Sequence, residues 1–493
     1  MDIEVDVSNG MPYFNMVGML SMEIKEAKER IRAALKNSGY ELKPSRITVN
    51  LSPADKRKEG TLFDLPIAFA ILKAAGLIPQ CSFEKMLVIG ELGLSGEVKP
   101  VNGILPILMM AKRMGFKRCV LPSGNSSETE FVKDMEVIPV DNLKQAVRYV
   151  INGEKCKVQS DLSVKALKVS ENNGPDFSDI HGHHMAKRAA EIAAAGNHNL
   201  LMVGPPGSGK SMIAGRISSI MPTLTYEERI GISTIYSVCG LLKDGNAVTK
   251  RPYRAPHHTI TVQGMTGGGR YPRPGELSLA SGGVLFLDEL PEFNPLVIDT
   301  LRQPLENKKI TLVRASGKYE FAADCMLVAA MNPCKCGYYP DRNRCTCTDD
   351  EVRKYMGRIS GAILDRMDIC VEVPRTEYRE LIERNNEECS ADIRSRVERA
   401  VNIQKERYMG TDIRNNASLS SKETEIYCKL DKSGTELIKR AFDKFNMSTR
   451  GYYKILKVAR TIADLAGEKD IKREHVQEAV IYRTFDAATY GGR

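Results

Sequence analysis

The chain has 493 residues, 42% hydrophobic and 27% charged, so it is long enough for about three folded domains and too apolar for global disorder. Lys+Arg 71 against Asp+Glu 62 leaves a net charge of +9, a mild excess that permits a polyanionic partner without demanding one. No run of about 18 consecutive apolar residues occurs, which predicts no transmembrane helix and no membrane partner.

The start, MDIEVDVSNG, is acidic and has neither the basic nor the apolar region of a signal peptide. The expected compartment is therefore cytoplasmic. There the 12 cysteines stay reduced, and clustering among them points to a metal site rather than to disulfides.

Residues 1–152 alternate strand-like runs (3–7 and 47–51) with amphipathic helices. In the helix predicted over 21–37, Ile24, Ala27, Ile31, Ala34 and Leu35 share one face. A second helix, 65–75, is nearly all apolar and should be buried. This block reads as an α+β domain. Residues 153–178 turn polar and end in Glu171-Asn172-Asn173-Gly174-Pro175, the composition of a linker.

From 179 to 374, short apolar strands at 200–203, 284–287 and 326–330 lie between helical stretches. Continuous apolar strands of this kind fit a parallel sheet covered on both faces. Residues 375–493 read as helical with one interruption at 410–420. Ile455, Val458, Ala459, Ile462 and Leu465 recur at helical spacing, and 471–474 open a further helix. The fold class is thus multidomain α/β: an α+β first domain, a P-loop core and a C-terminal helical domain.

Gly204-Pro205-Pro206-Gly207-Ser208-Gly209-Lys210-Ser211 matches G-x-x-x-x-G-K-[ST] directly after the 200–203 strand and before a helical run. Its glycines let main-chain N–H groups converge on phosphate, and the helix N-terminus adds a favourable dipole. Lys210 is placed to reach the β- and γ-phosphates of ATP, and the Ser211 hydroxyl to ligate Mg²⁺. Downstream, Val284-Leu285-Phe286-Leu287-Asp288-Glu289 ends a buried strand in two acids. Asp288 is expected on Mg²⁺ and Glu289 on the attacking water, which favours hydrolysis over phosphotransfer. The strand at 326–330 leads to Asn332, whose side chain can orient that water. Arg366 and Arg450 are candidates for stabilising charge in phosphoryl transfer, and equally for surface ion pairs.

Together these residues resemble an AAA+ ATPase. More narrowly, Asp179-Ile180, Ala186-Lys187-Arg188-Ala189, Arg254-Ala255-Pro256-His257-His258, Pro274-Gly275-Glu276-Leu277-Ser278-Leu279-Ala280 and Leu290-Pro291-Glu292-Phe293 match its magnesium-chelatase-like branch. Within that branch the chain closely resembles the YifB/ComM family, nearly end to end. The resemblance implies that Asn332 is sensor 1, Arg366 an arginine finger and Arg450 sensor 2, in a homo-oligomeric ring expected to be a hexamer. It further implies a helical lid at 375–493 and a start codon upstream of Met1. One departure is His183 after Gly182, where the family usually has Gln. This segment lies near the adenine in relatives, so the departure falls on base contacts rather than on phosphate contacts.

The segment Thr266-Gly267-Gly268-Gly269-Arg270-Tyr271-Pro272-Arg273-Pro274 reads either as a flexible, positively charged pore loop or as a solvated turn. Cys334, Cys336, Cys345 and Cys347 form C-x-C-x₈-C-x-C, four thiols within 14 residues that can surround a structural Zn²⁺ tetrahedrally. The first domain resembles the Lon-protease fold that the family carries. Leu62 in Gly60-Thr61-Leu62 stands where peptidases of that fold have serine, and Leu105 where they have lysine, so this domain is expected to be non-catalytic, a scaffold or a DNA contact.

The leading expectation is an ATP-driven ring motor on DNA, a branch-migration helicase in natural transformation. Without a base-reading module, it should bind single-stranded or branched DNA independently of sequence. Two alternatives are a chelatase-type remodeller and a Lon-like ATP-dependent protease. The fused first domain and the cysteine cluster, foreign to the chelatase motor subunit, weigh against the former. Leu62 and Leu105 weigh against the latter.

Overall fold

The computed structural model describes residues 1–55, 57–79, 85–132, 134–153, 174–242, 246–270, 272–314, 317–376, 387–445 and 447–489. Most of the expected 153–178 linker falls outside these. The chain divides into two compact units, Met1–Glu171 with Arg229–Val248, and Asn172–Glu228 with Thr249–Arg493.

In the first unit, β1 (Asp2–Asn9), β2 (Tyr13–Val17) and β3 (Ser45–Ser52) form a sheet ordered β1-β3-β2, antiparallel on one side and parallel on the other. The helix Met22–Asn37 buries Ile24, Ala27, Ile31, Ala34 and Leu35, the face its periodicity marks. The helix Asp64–Ala74 is buried on almost every side, as its apolar run requires. Each Leu or Ile fully withdrawn from water there contributes roughly 1.5–3 kcal/mol. A second sheet joins β4 (Met86–Val88), β7 (Arg118–Pro122) and β8 (Glu136–Val140) in parallel, and β5 (Glu91–Leu92) pairs with β6 (Val98–Lys99) as a hairpin.

Arg229–Val248 belongs to this unit although in sequence it lies between the P-loop and the acid pair. It is clipped to the N-terminus of the helix Ile104–Arg113. The Gly103 N–H donates to the Ser237 carbonyl at 3.0 Å, and the Ser237 hydroxyl donates to Glu128 at 2.5 Å. Glu128 also accepts from the Leu105 N–H and the Asn125 amide, so this buried carboxylate is fully engaged.

The second unit is built on β9 (Leu200–Val203), β10 (Tyr253–Arg254), β11 (Val284–Leu287), β14 (Met326–Met331) and β15 (Ile369–Glu372), with β12 (Lys309–Arg314) and β13 (Gly317–Ala322) paired apart as a hairpin. The main sheet is parallel throughout in the order β10-β11-β14-β9-β15. Successive side chains alternate between its faces: Leu200, Met202, Phe286 and Val328 enter one apolar core, Leu201, Val203, Leu285 and Leu327 the other. Both faces are therefore covered, and all four residues of β9 and of β11 are buried.

The first of these cores continues into the helices Ser390–Arg407, Thr449–Leu465 and Arg473–Thr489. Polar clamps lock them. Asp464 accepts from Arg407 at 2.9 Å, Arg460 at 3.1 Å and Asn416 at 2.9 Å. Asp368, just before β15, accepts from Lys454 at 2.8 Å and from the Asn199 N–H at 3.0 Å. Burial opposes ionisation of Asp368, but Lys454 and His198 outweigh it and hold the carboxyl well below the usual carboxylate range.

Candidate nucleotide site

Parallel-sheet geometry brings the ends of β9, β11 and β14 side by side, so the loops that follow them converge on one edge. The loop after β9 runs straight into the helix Lys210–Ile220. Gly207 and Gly209 adopt φ +75° and +82°, a left-handed backbone that folds the loop back on itself. Gly204 lies so close to the Val373 carbonyl that no side chain fits there.

Lys210 Nζ donates to the carbonyls of Gly204 and Pro205 at 2.8 Å each, and to Asn332 Oδ1 at 3.3 Å. Burial depresses the Lys210 pKa, while Asp288 and Glu289 act against that shift. Ser211 Oγ donates to Asp288 Oδ2 at 2.6 Å, and Asp288 Oδ1 accepts the Glu289 N–H at 3.0 Å. A hydroxyl and a carboxylate thus stand together at the start of a helix, the donor set a hard divalent cation takes beside phosphate. Glu289 has φ +52°, a strained conformation for a residue with a side chain, costing about 1–3 kcal/mol. Its carboxylate is 3.9 Å from His258 Nδ1.

The motifs that looked separate in sequence meet here. Arg254 and Glu276 form a two-pronged ion pair with both contacts at 2.6 Å, tying the 254–258 segment to 274–280. Glu292 pairs with Arg358 at 3.0 Å. His183 Nε2 lies 3.6 Å from where a Cβ on Gly209 would sit and bonds Thr376 at 2.9 Å.

The two late arginines stand apart from this cluster. Arg366 is mostly buried and donates to Glu306 Oε1 and to the Ala362 carbonyl, both at 2.6 Å. Arg450 is exposed near the start of the helix Thr449–Leu465, and neither arginine bonds the P-loop or the acid pair among the described residues.

The glycine-rich basic segment is tied across its base. Gly268 and Arg273 exchange main-chain hydrogen bonds at 3.0 and 3.1 Å, closing a tight turn, and Gly267 packs against the Arg273 carbonyl too closely for any Cβ. The guanidinium of Arg314, at the end of β12, comes within 3.6 Å of where a Cβ on Gly268 would sit. The exposed Arg270, Arg273 and Arg314 therefore share one region. The β12–β13 hairpin is an element beyond the strands expected from the sequence, and alternation along Lys309-Ile310-Thr311-Leu312 is the signal that marks its first strand.

The four cysteines come together, with a sulfur from each within 4.8 Å of the others. Burial opposes ionisation of Cys336, yet the Tyr338 N–H and the adjacent thiols bring it down to about 6, while burial beside those same thiols pushes Cys345 up to about 12. In the first unit, Leu105 is fully buried in an apolar core.

Three family models span most of the chain: Magnesium chelatase, subunit ChlI, over residues 176–381; Subunit ChlI of Mg-chelatase over 3–125; and Magnesium chelatase, subunit ChlI C-terminal, over 387–483. Competence protein ComM of Haemophilus influenzae is 40% identical over 483 residues, covering 98% of this chain and 94% of that protein. The chain belongs to the YifB/ComM family. YifB of Escherichia coli is 38% identical over 488 residues, with the same 98% and 94% shares. This magnesium-chelatase-like AAA+ family carries an ATP-dependent function, with ATP and Mg²⁺ as cofactors. A Lon protease of Halothermothrix orenii is 28% identical over 167 residues, 31% of this chain and 21% of that protein, a partial likeness. Among the described residues, no helix is long and apolar enough to cross a membrane.

Proposed function

We propose that this chain is an ATP-hydrolysing ring motor on DNA, a branch-migration helicase working in the cytoplasm as a homo-oligomer, with six subunits the expected ring. The observation that carries the ATPase half is the Ser211–Asp288 bond beside Lys210 and Asn332. In this reading the Gly204–Ser211 main chain and Lys210 hold the phosphates, and Ser211 and Asp288 hold Mg²⁺, which draws charge from the γ-phosphate. Glu289 takes the proton of the attacking water, Asn332 orients that water, and Arg366 and Arg450 stabilise charge on the phosphates. Arg366 acts on a neighbour's site.

The DNA half is supported by the relative named for competence and by the grouping of Arg270, Arg273 and Arg314. Such a cluster suits phosphate backbones rather than bases, so binding is independent of sequence, on single-stranded or branched DNA. The first domain serves as a non-catalytic, Lon-like scaffold, because Leu105 fills an apolar core where a peptidase needs its lysine. Zinc sits at Cys334, Cys336, Cys345 and Cys347. In domain terms, we assign 1–152 to the Lon-like part, 153–178 to a linker, 179–374 to the AAA+ core, with Arg229–Val248 within it packed into the first unit, and 375–493 to the lid.

A chelatase-type remodeller is the second reading. One specific observation favours it: a family model named for the chelatase subunit matches residues 3–125, so the first domain does not separate the two. ATP turnover measured with and without single-stranded and forked DNA decides between them. DNA stimulation supports the motor. A rate indifferent to DNA, in protein that also fails to bind it, favours the remodeller.

A further inference from the structure

The cysteine cluster is built into the wall of the nucleotide site. Cys334 follows Asn332 by two residues, and Asn332 is bonded to Lys210. Sulfur–sulfur distances of 3.3, 3.8 and 3.5 Å among Cys334, Cys336 and Cys345 lie at or just under the edge, about 3.8 Å, of a tetrahedron with zinc–sulfur bonds of about 2.3 Å. The main-chain N–H groups of Gly337 and Tyr339 donate to Cys334 Sγ at 3.2 and 3.4 Å, hydrogen bonds that stabilise a thiolate and fix its direction.

The residue after Cys336 is Gly337, at φ +87°, and it lies flat against the P-loop. A Cβ there would run into Pro206 Cδ and come within 3.1 Å of Cγ. The next residue, Tyr338, takes a hydrogen bond from Arg375 at 3.2 Å, with the guanidinium 5.3 Å above its ring. Arg375 follows Val373, whose carbonyl abuts Gly204. The cysteine turn thus touches the P-loop directly at Pro206, reaches it through Arg375 at Gly204, and continues into Asn332.

We propose that the metal held by these cysteines is a strut for the nucleotide pocket, so that its occupancy sets ATP affinity. This rests on the zinc reading above. With the metal bound, the 334–347 turn is closed and Gly337 presses on Pro206. Without it, the turn loses the ligand that closes it, and both the P-loop and Asn332 lose their backing. Gly337 is then a positioning residue that acts on phosphate binding through Pro206.

The test uses the full chain purified without added metal or a His tag. Elemental analysis first measures zinc per chain. A content near zero with freely titratable thiols defeats the zinc reading, and the strut with it. If zinc is present, a fluorescent non-hydrolysable ATP analogue is titrated into protein as purified, after chelation under reducing conditions, and after zinc is restored. Circular dichroism follows the fold throughout. The expected result is a loss of affinity of roughly tenfold on depletion and its recovery on reloading. Folded, depleted protein that binds the analogue as tightly as loaded protein overturns the strut while leaving the zinc reading intact. Gly337→Ala decides the case where depletion unfolds the chain, since it keeps every thiol but intrudes on Pro206. It should retain zinc and still bind the analogue several-fold more weakly. Unchanged affinity in that variant overturns the coupling.

Discussion

Arg366 Nη2 donates to Glu306 Oε1 at 2.6 Å, so the candidate arginine finger is held by a carboxylate of its own subunit. To serve a neighbour's γ-phosphate it must exchange that partner on assembly. The ion pair is half in solvent, with Glu306 54% exposed, so its net worth is small and the exchange is cheap. Arg366→Ala should lower turnover by about 10³-fold or more without weakening ATP binding, the scale of an arginine finger. Glu306→Ala should not. Mixing Arg366→Ala with Glu289→Gln subunits should restore some hydrolysis at mixed interfaces. Co-assembled mixtures that stay inactive would refute action in trans.

Glu289 and Lys210 should fail in different ways. Lys210→Ala removes a charge-assisted phosphate contact worth about 1.5–3 kcal/mol, roughly 10–100-fold in affinity, and should depress both binding and turnover. Glu289→Gln keeps the shape but loses the base, so turnover should drop by roughly 10²–10⁴-fold while ATP stays bound. Equilibrium binding and single-turnover hydrolysis on the same preparations separate the effects. Normal turnover in Glu289→Gln would remove Glu289 from this role.

Much of this site is legible in the sequence because its signals are local. The P-loop carries its own turn chemistry in Gly207 and Gly209, and the Asp288-Glu289 pair follows a strand apolar enough to be buried on both faces. The helix Met22–Asn37 announces its buried face by spacing alone. What escaped depends on partners distant in the chain. Nothing near Ser237 says that it will meet Glu128, and so nothing marks Arg229–Val248 as part of the first unit. Closure of the glycine-rich segment rests on Gly268 meeting Arg273, a pairing that its composition does not announce. Arg366 read as a finger by position, while its bond to Glu306 is a tertiary fact.

Stability should fall in acid, with a direction set by Asp368. Its folded-state pKa is depressed, so its contribution is complete above the unfolded value of about 3.9 and is lost as pH falls toward the folded value. Asp176 and Glu387 are likewise depressed, by hydrogen bonds from Ser178 and Ser390 and by Lys187, against the opposing effect of burial, and they add in the same direction. Denaturation midpoints should therefore change little between about pH 7 and 5 on account of these groups and drop below about pH 4. Asp368→Asn should cost about 2–4 kcal/mol at neutral pH, since it leaves the mostly buried Lys454 without its counter-charge, and should flatten the acid limb. An acid limb as steep in the variant as in the parent would show that Asp368 is not its source.

DNA binding should lose salt sensitivity when the basic cluster is removed. The guanidinium of Arg314 lies beside Gly268, in the same segment as Arg270 and Arg273, and all three arginines are exposed. Guanidinium groups gathered this way neutralise phosphates without reading bases, and each released counterion adds to the slope of log affinity against log salt. Each lost contact should reduce that slope by about 0.9 on duplex and about 0.7 on single strands. Arg270→Ala, Arg273→Ala and Arg314→Ala together should then lower the duplex slope by about 2–3, if all three touch phosphate, and weaken binding equally across unrelated sequences. DNA-free ATP turnover should be nearly unchanged, because none of the three bonds the P-loop or the acid pair among the described residues. Anisotropy titrations across a salt series, with a four-way junction and a single strand as probes, measure both quantities. A triple variant that keeps the parental slope and still moves junction branches would place the DNA contact elsewhere on the chain. Parent protein that binds neither probe would withdraw the DNA reading and leave the remodeller in its place.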